Sequence, residues 1–226
     1  MCSSDLHDFS PESCEIIRQV PGLLQADVVQ ILPASVDRFA AKRVPETIRI
    51  FAAIKKAGLS VCLFVACQWA TGKKQLDTVQ EQKDLALRSG LEPGKDIFFS
   101  PDLGASFRMG LSKRMMRELF QCSNLFVFLT REESFGLVIP EAALAGCMMV
   151  LNGSLPMLEE VGGGEDKALY FDFGCHWPSL RPMPAKTKEE IEAYCSAVGK
   201  AIAGRIRLSK TFSSKAYARK AFNWDR

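Results

Sequence analysis

The sequence lacks long apolar segments and any N-terminal targeting pattern. No stretch approaches the roughly 18–20 consecutive apolar residues that a transmembrane helix needs. The first residues, MCSSDLHDFSPES, have neither the basic cluster nor the apolar segment of a signal peptide. We therefore expect a soluble, cytoplasmic protein.

A strong excess of one charge is also missing. The chain has 29 Lys and Arg against 26 Asp and Glu, a formal net charge of +3. Proteins that bind nucleic acid usually carry a dense basic face, which this balance does not supply. No nucleic-acid partner is expected, whereas a small anionic ligand would suit the charge.

The eight cysteines contain no C-x-x-C pair, and most lie in apolar segments, such as Cys62 in LSVCLFVAC. This distribution indicates reduced thiols in the core of a cytosolic protein. There are only two histidines, and the adjacent Cys175 and His176 have no second cluster at ligand spacing. No metal site is expected.

Two nucleotide-binding motifs fail on spacing. The Gly-x-Gly-x-x-Gly of dinucleotide-binding proteins is missing after the first predicted strand, where PASVDR stands. ATGKKQ resembles a P-loop, but Cys67 stands where a glycine is required and Lys74 where Ser or Thr is required. We expect no bound cofactor.

Six short apolar segments alternate with helical patterns. Helices are predicted over 44–58, 73–90 and 112–122, and the strands over 27–32, 59–66, 95–100, 124–130, 147–152 and 167–173. Apolar strands separated by helices predict an α/β domain with a doubly wound, Rossmann-like parallel sheet. We assign residues 1–26 to a leader or linker and 27–226 to one domain.

The segment REESFG, residues 131–136, follows the fourth predicted strand, at the sheet edge where such folds bind ligands. Gly136 permits a tight turn, and Leu137 begins a short helix whose free first-turn amides suit a phosphate. Glu133 and Glu141 flank this turn and could accept hydrogen bonds from sugar or ribose hydroxyls. Alternatively, both acids only cap the helix and complement its dipole.

The longer segment NLFVFLTREESFGLVIPEAALAGCMMVLNGSLP resembles the signature of retaining glycosyltransferases with the GT-B fold, of the glycosyltransferase family four type. That signature has two Glu separated by seven residues, with Phe-Gly after the first and Glu-Ala at the second. The matching residues are Glu133, Phe135, Gly136, Glu141, Ala142, Leu144, Ala145 and Gly146.

The resemblance implies roles for these residues. Glu141 would hold the ribose hydroxyls of a nucleotide, and Glu133 would contact hydroxyls of the donor sugar. The segment that would lie beside the sugar and the diphosphate comprises Ser134, Phe135, Gly136 and Leu137.

A basic pair after the first strand would neutralise the diphosphate. PASVDRFAAKRVPE offers Arg38 and Lys42, with Arg43 next to them. The family spacing is typically one residue longer, so Lys42 and Arg43 are both candidates for the second cation. Because the leaving diphosphate gains negative charge, we take Arg38, Lys42 and Glu133 as the candidate catalytic residues.

The sequence also departs from the family pattern. VACQWATG replaces the glycine that is common after the second strand, and Met157 stands where a later loop usually has an acid. Glu159 or Glu160 could compensate, or this loop could be only structural.

The resemblance runs from about Asp27 to Trp224 and covers only the C-terminal, donor-binding half of a GT-B enzyme. It implies transfer of a sugar, of the hexosyltransferase type, from a nucleoside diphosphate sugar such as a UDP- or GDP-sugar to an unknown acceptor, with retention. The chain alone is expected to be inactive without an N-terminal domain or a partner chain.

Two alternatives stay open. The chain could instead be a non-catalytic nucleotide-sugar-binding module or subunit. Its basic C-terminal tail is either a solvated helix face or a peripheral contact with anionic lipid.

Overall fold

A computed structural model describes residues 9–176 and 181–208. The strands that it contains are β1 (Val28–Ser35), β2 (Val61–Gln68), β3 (Ile97–Phe99), β4 (Leu125–Phe128), β5 (Met148–Asn152) and β6 (Ala168–Phe171). The helices are α1 (Pro11–Gln19), α2 (Gly22–Gln25), α3 (Val44–Lys56), α4 (Lys73–Ser89), α5 (Lys113–Phe120), α6 (Val138–Ala145), α7 (Pro156–Gly162) and α8 (Lys188–Arg207).

The strands form two parallel, three-stranded sheets. In the first sheet β2 lies between β1 and β3, and in the second β5 lies between β4 and β6. β1 lies beside β4, so the strand order across the molecule is 3-2-1-4-5-6, the order of a doubly wound dinucleotide-type fold. The predicted fold class is confirmed.

Side chains join the two sheets where β1 meets β4. The fully buried amide of Gln30 donates to the carbonyl of Val127 and accepts from its N–H, both at 2.9 Å. Asn124 Oδ1 accepts from the N–H of Val29 at 2.9 Å, and Ser123 Oγ from that of Ile31 at 3.2 Å. These bonds satisfy buried backbone groups that lack a neighbouring ladder.

Each face of the sheets packs against its own set of helices. Successive side chains of β2 point to opposite faces of the sheet. Val65 lies on the face covered by α3, α4 and α8, and Phe64 lies on the face covered by α1, α5, α6 and α7. Both side chains are fully buried. The near-continuous apolar character of the strands follows from this double burial.

Residues before β1, for which the sequence predicts a leader or linker, form α1 and α2 and pack on this second face. Ser10 caps α1, and its N–H and hydroxyl donate to the buried Glu118 of α5 at 3.0 and 2.6 Å. Burial alone would raise the pKa of Glu118, but hydrogen bonds from Ser10, Ser13 and Arg114 outweigh it and lower the pKa to about 2. The α1 segment is thus anchored to α5.

Within the described ranges, no helix is both long and apolar enough to cross a membrane. Most of the basic C-terminal tail, residues 209–226, lies outside the described residues.

Candidate functional site

The candidate site lies where the loops after β1 and β4 meet, at the carboxyl edge of the sheets. The strand order reverses here, which is where doubly wound folds bind ligands. The N–H of Arg131 donates to the carbonyl of Ala41 at 2.8 Å, so the two loops are directly joined.

Lys42 and Glu133 form the central ion pair of this site. Lys42 Nζ lies 2.6 Å from Glu133 Oε2, and the two side chains are only 12% and 20% exposed. Glu133 Oε1 also accepts from the N–H of Ser134 at 3.1 Å. Lys42 Nζ lies 4.9 Å from the centre of the Phe128 ring, which holds the ammonium over an aromatic face.

Gly136 gives the loop after β4 its tight turn. Its φ is +72°, and a Cβ there would lie 3.0 Å from Ile139 Cδ1 and 3.3 Å from Glu133 Cγ. A side chain would therefore be strained and would push against Glu133. Leu137 caps α6, as the sequence predicts for the helix start, and both Phe135 and Leu137 are exposed.

Arg38 lies at the open rim of the site. Its Nη2 lies 2.9 Å from Glu132 Oε1, with both side chains more than two-fifths exposed. An ion pair this exposed contributes little stability, so Arg38 is held only weakly.

Arg43 is bonded to groups other than Glu133. It has a left-handed backbone, with φ +53°, and its guanidinium bonds to Glu46 and to the carbonyl of Phe173. Its side chain is buried against the ring of Phe173. Of the two candidates for the second cation, the structure thus brings Lys42, and not Arg43, beside Glu133.

Glu141 lies in the first turn of α6 and lines a groove of about 1020 Å³ between α5 and α6. The groove begins at the carboxyl edge and has a basic rim and a largely apolar lining. Its walls include Pro33, Gln68, Leu111, Lys113, Met116, Arg117, Val138 and Leu144.

The electrostatics of Glu141 differ from those of a freely solvated acid. Partial desolvation by the groove raises the pKa of its carboxyl, although the side chain is exposed, and nearby Lys113 acts in the opposite direction. Such a shift is common for carboxylates that meet ligands in clefts.

Asn152, which the sequence reasoning missed, organises the same edge. Its fully buried amide donates to the carbonyls of Thr130 and Gly174 at 2.9 and 2.8 Å and accepts from the N–H groups of Ser154 and Phe173. These bonds tie together the ends of β4, β5 and β6. Only its position at the end of an apolar strand could have marked it.

The loop after β5 leads into α7, which carries Met157 at the position where the family pattern usually has an acid. Met157 is partly buried in the core on the α7 face, and Glu159 forms an exposed ion pair with Arg181 at 3.4 Å. Glu160 follows on α7.

Burial raises the pKa of Cys62, Cys67, Cys147 and Cys195 to about 12, which keeps these thiols protonated. Among the described residues, no group of three or more His, Cys, Asp and Glu is placed to hold a metal ion.

Neither protein-family models nor curated protein sequences match this chain. Several solved structures, however, match its fold. HepE from Anabaena, crystallised with UDP-glucose, superposes with a TM-score of 0.58 at 19% identity over 96% of this chain and 50% of HepE.

Two further structures agree. The C-terminal domain of LpcC, a glycosyl transferase group 1 family protein from Francisella tularensis, gives a TM-score of 0.56 at 13% identity, covering 99% of this chain and 98% of that domain. WaaG, a glycosyltransferase involved in lipopolysaccharide biosynthesis, gives 0.50 at 16% identity over 94% of this chain and 52% of WaaG.

The chain therefore spans about half the length of HepE and WaaG but nearly all of the LpcC C-terminal domain. Its fold is the Rossmann-like C-terminal half of a GT-B fold.

Proposed function

We propose that this chain is the donor-binding domain of a retaining glycosyltransferase of the family four type, which takes its sugar from a nucleoside diphosphate sugar. The observation that carries the proposal is the Lys42–Glu133 ion pair, which joins the loops after β1 and β4 at the carboxyl edge where the strand order reverses, with Glu141 following in the first turn of α6. The solved structures named above support it because HepE was crystallised with UDP-glucose.

Each residue then has a chemical role. Glu141 accepts hydrogen bonds from the ribose hydroxyls, because an ionised carboxylate is an acceptor only. Lys42, Arg38 and the amides at the start of α6 face the diphosphate and stabilise the negative charge that it gains as the glycosidic bond breaks. Glu133 accepts hydrogen bonds from hydroxyls of the sugar.

We also propose where the acceptor binds and which type of transfer the whole enzyme performs. The acceptor would be bound by a second domain or a partner chain, because HepE and WaaG are about twice as long as the region matched here. The enzyme would be a cytoplasmic hexosyltransferase that needs no bound cofactor or metal, since protein groups supply the positive charge.

The second candidate is a non-catalytic nucleotide-sugar-binding subunit, which the same Lys42–Glu133 pair and Glu141 would serve equally well. Both candidates require donor binding, and only the first requires transfer in the presence of the missing half.

Donor binding is tested by calorimetry with UDP, GDP, ADP and their glucose esters. Replacing Glu141 by Ala leaves ribose hydroxyls unpaired and should weaken the binding free energy of the nucleotide by roughly 1.5–3 kcal/mol. The Glu141→Gln substitution should weaken it less, because it removes the charge and keeps an acceptor. Glu81→Ala, an exposed change on α4, is the matched control and should bind like the wild type. Equal affinity of the wild type and Glu141→Ala would contradict the assignment.

A further inference from the structure

The acids of the site are paired with its own cations. Lys42 is paired with Glu133 and Arg38 with Glu132. Two successive acids thus form ion pairs with the two cations that are proposed to bind a diphosphate. The two pairs differ in burial: the first is largely enclosed, and the second is open to solvent. Water screens the open pair much more than the enclosed one.

The enclosed pair restricts where a phosphate can bind. Lys42 lies over the Phe128 ring with its side chain 12% exposed, so a phosphate that meets Nζ must enter the enclosed space that Nζ shares with Glu133. The ammonium has three donors and could meet a phosphate as well, but that phosphate would then lie directly beside the Glu133 carboxylate. Like charges that close repel strongly in a partly dry site.

A sugar on the diphosphate changes this balance. Sugar hydroxyls are donors that can satisfy Glu133 Oε2 when Lys42 turns to the phosphate, and Oε1 stays bonded to Ser134 N. A nucleoside diphosphate without a sugar brings no such donor, so it must leave Glu133 without its counterion.

We propose that Glu133 is a specificity-determining counterion: by competing with the diphosphate for Lys42, it makes the site bind a nucleoside diphosphate sugar in preference to the nucleoside diphosphate alone. The inference rests on the proposed function. It gives Glu133 a role in the unliganded protein, and it implies that loss of the sugar restores the Lys42–Glu133 pair and favours release of the diphosphate.

The test is calorimetry of UDP, GDP and ADP and of their glucose esters with the wild type, Glu133→Gln and Glu132→Gln. Removing the charge of Glu133 should tighten binding of the diphosphate about threefold or more and should not tighten binding of its glucose ester. The preference for the sugar ester should then fall about threefold or more. Glu132→Gln removes the same charge one residue away, in the exposed pair, and should change either affinity less than twofold.

Lys42 supplies a second check. In a Lys42→Met background Glu133 has no ammonium to compete for and repels the diphosphate of both ligands alike, so adding Glu133→Gln should no longer change the preference between the diphosphate and its ester. Thermal unfolding of each variant shows whether it is folded.

The outcomes separate two failures. Suppose that the wild type binds a nucleotide but Glu133→Gln leaves the ratio of the affinities for the diphosphate and its ester unchanged. The counterion role is then wrong, and the proposal of a donor site stands. If the folded wild type binds none of the six ligands, the proposed function fails and the inference fails with it.

Discussion

Glu141 combines an exposed position with a carboxyl that is harder to ionise than usual. Desolvation by the groove walls raises its pKa above the ordinary value of 4.5, and no ion pair to Lys113 is formed that would reverse the shift. A folded-state pKa above the unfolded one means that the folded protein holds the proton more tightly. The charged form therefore costs stability above that pKa, and the cost is relieved as the pH falls through it.

This shift predicts a pH dependence of nucleotide binding. Protonation turns one carboxylate oxygen from an acceptor into a donor and removes the negative charge, which weakens the hydrogen bonds from the ribose hydroxyls. Affinity should therefore fall as the pH drops through the raised pKa of Glu141, at a higher pH than an ordinary glutamate would give. Titration calorimetry between neutral and mildly acidic pH measures it. Glu141→Gln provides the control, because the nucleotide's own titration affects both proteins.

The difference between the two proteins is the decisive quantity. An identical pH profile for the wild type and Glu141→Gln would show that this carboxylate does not meet the nucleotide.

Among the elements, the junction of β1 and β4 is held by a side chain where a ladder would be expected. The side-chain amide of Gln30 accepts a hydrogen bond from the N–H of Val127 and donates one to its carbonyl, and all of these groups are buried. The loops carrying Lys42 and Glu133 follow directly from these two strands, so the junction also sets the relative position of the two halves of the site.

Replacing Gln30 by Leu should therefore be strongly destabilising. It leaves two backbone groups of Val127 buried without partners, at about 1–3 kcal/mol for each, partly offset by the added apolar contact. Urea denaturation measures the free energy of unfolding. Gln80→Leu is the matched control, because Gln80 also bonds through its amide, to Asp84 at 2.9 Å, but on an exposed helix face.

The Gln80→Leu change should alter the free energy of unfolding by less than about 0.5 kcal/mol, as surface substitutions usually do. Equal losses for the two variants would mean that the amide of Gln30 is not what joins the sheets.

Elements were predictable from the sequence to the extent that their causes are local. The apolar segments around Phe64 and Phe126 are strands because both of their faces are buried, and Gly58 and Gly90 follow the helices that they were predicted to end. Helix α1 was missed although Ser10 and Pro11 are a local start signal; what could not be read locally is its anchor, Glu118, which lies more than a hundred positions along the chain from Ser10.

The same reasoning applies to the candidate site. Glu133, Gly136 and Glu141 could be found from their spacing, because one turn and one helix place them. Whether Lys42 or Arg43 joins them depends on the left-handed backbone of Arg43 and on its contact with Phe173, both of which come from tertiary packing.

At the scale of the whole molecule, the carboxyl edge exposes large apolar side chains. Trp69, Met109, Phe135 and Leu137 lie on the loops that follow β2, β3 and β4, and each is 43–56% exposed. The loops bearing the first two are joined by a hydrogen bond from Ala70 N to the carbonyl of Arg108 at 2.8 Å. Apolar surface next to a proposed ligand site is typical of an edge that another domain or chain covers.

The last prediction follows from the proposal that the acceptor lies on a second domain. Catalysis needs donor and acceptor held together, an advantage of roughly 7–11 kcal/mol that a donor site alone does not provide. The purified 226-residue chain should bind a nucleoside diphosphate sugar and hydrolyse it slowly at most. Transfer is measured with radiolabelled donor and added acceptors, with an intact two-domain glycosyltransferase as the positive control. Rapid transfer by this chain, with no other protein present, would show that it already contains the acceptor site.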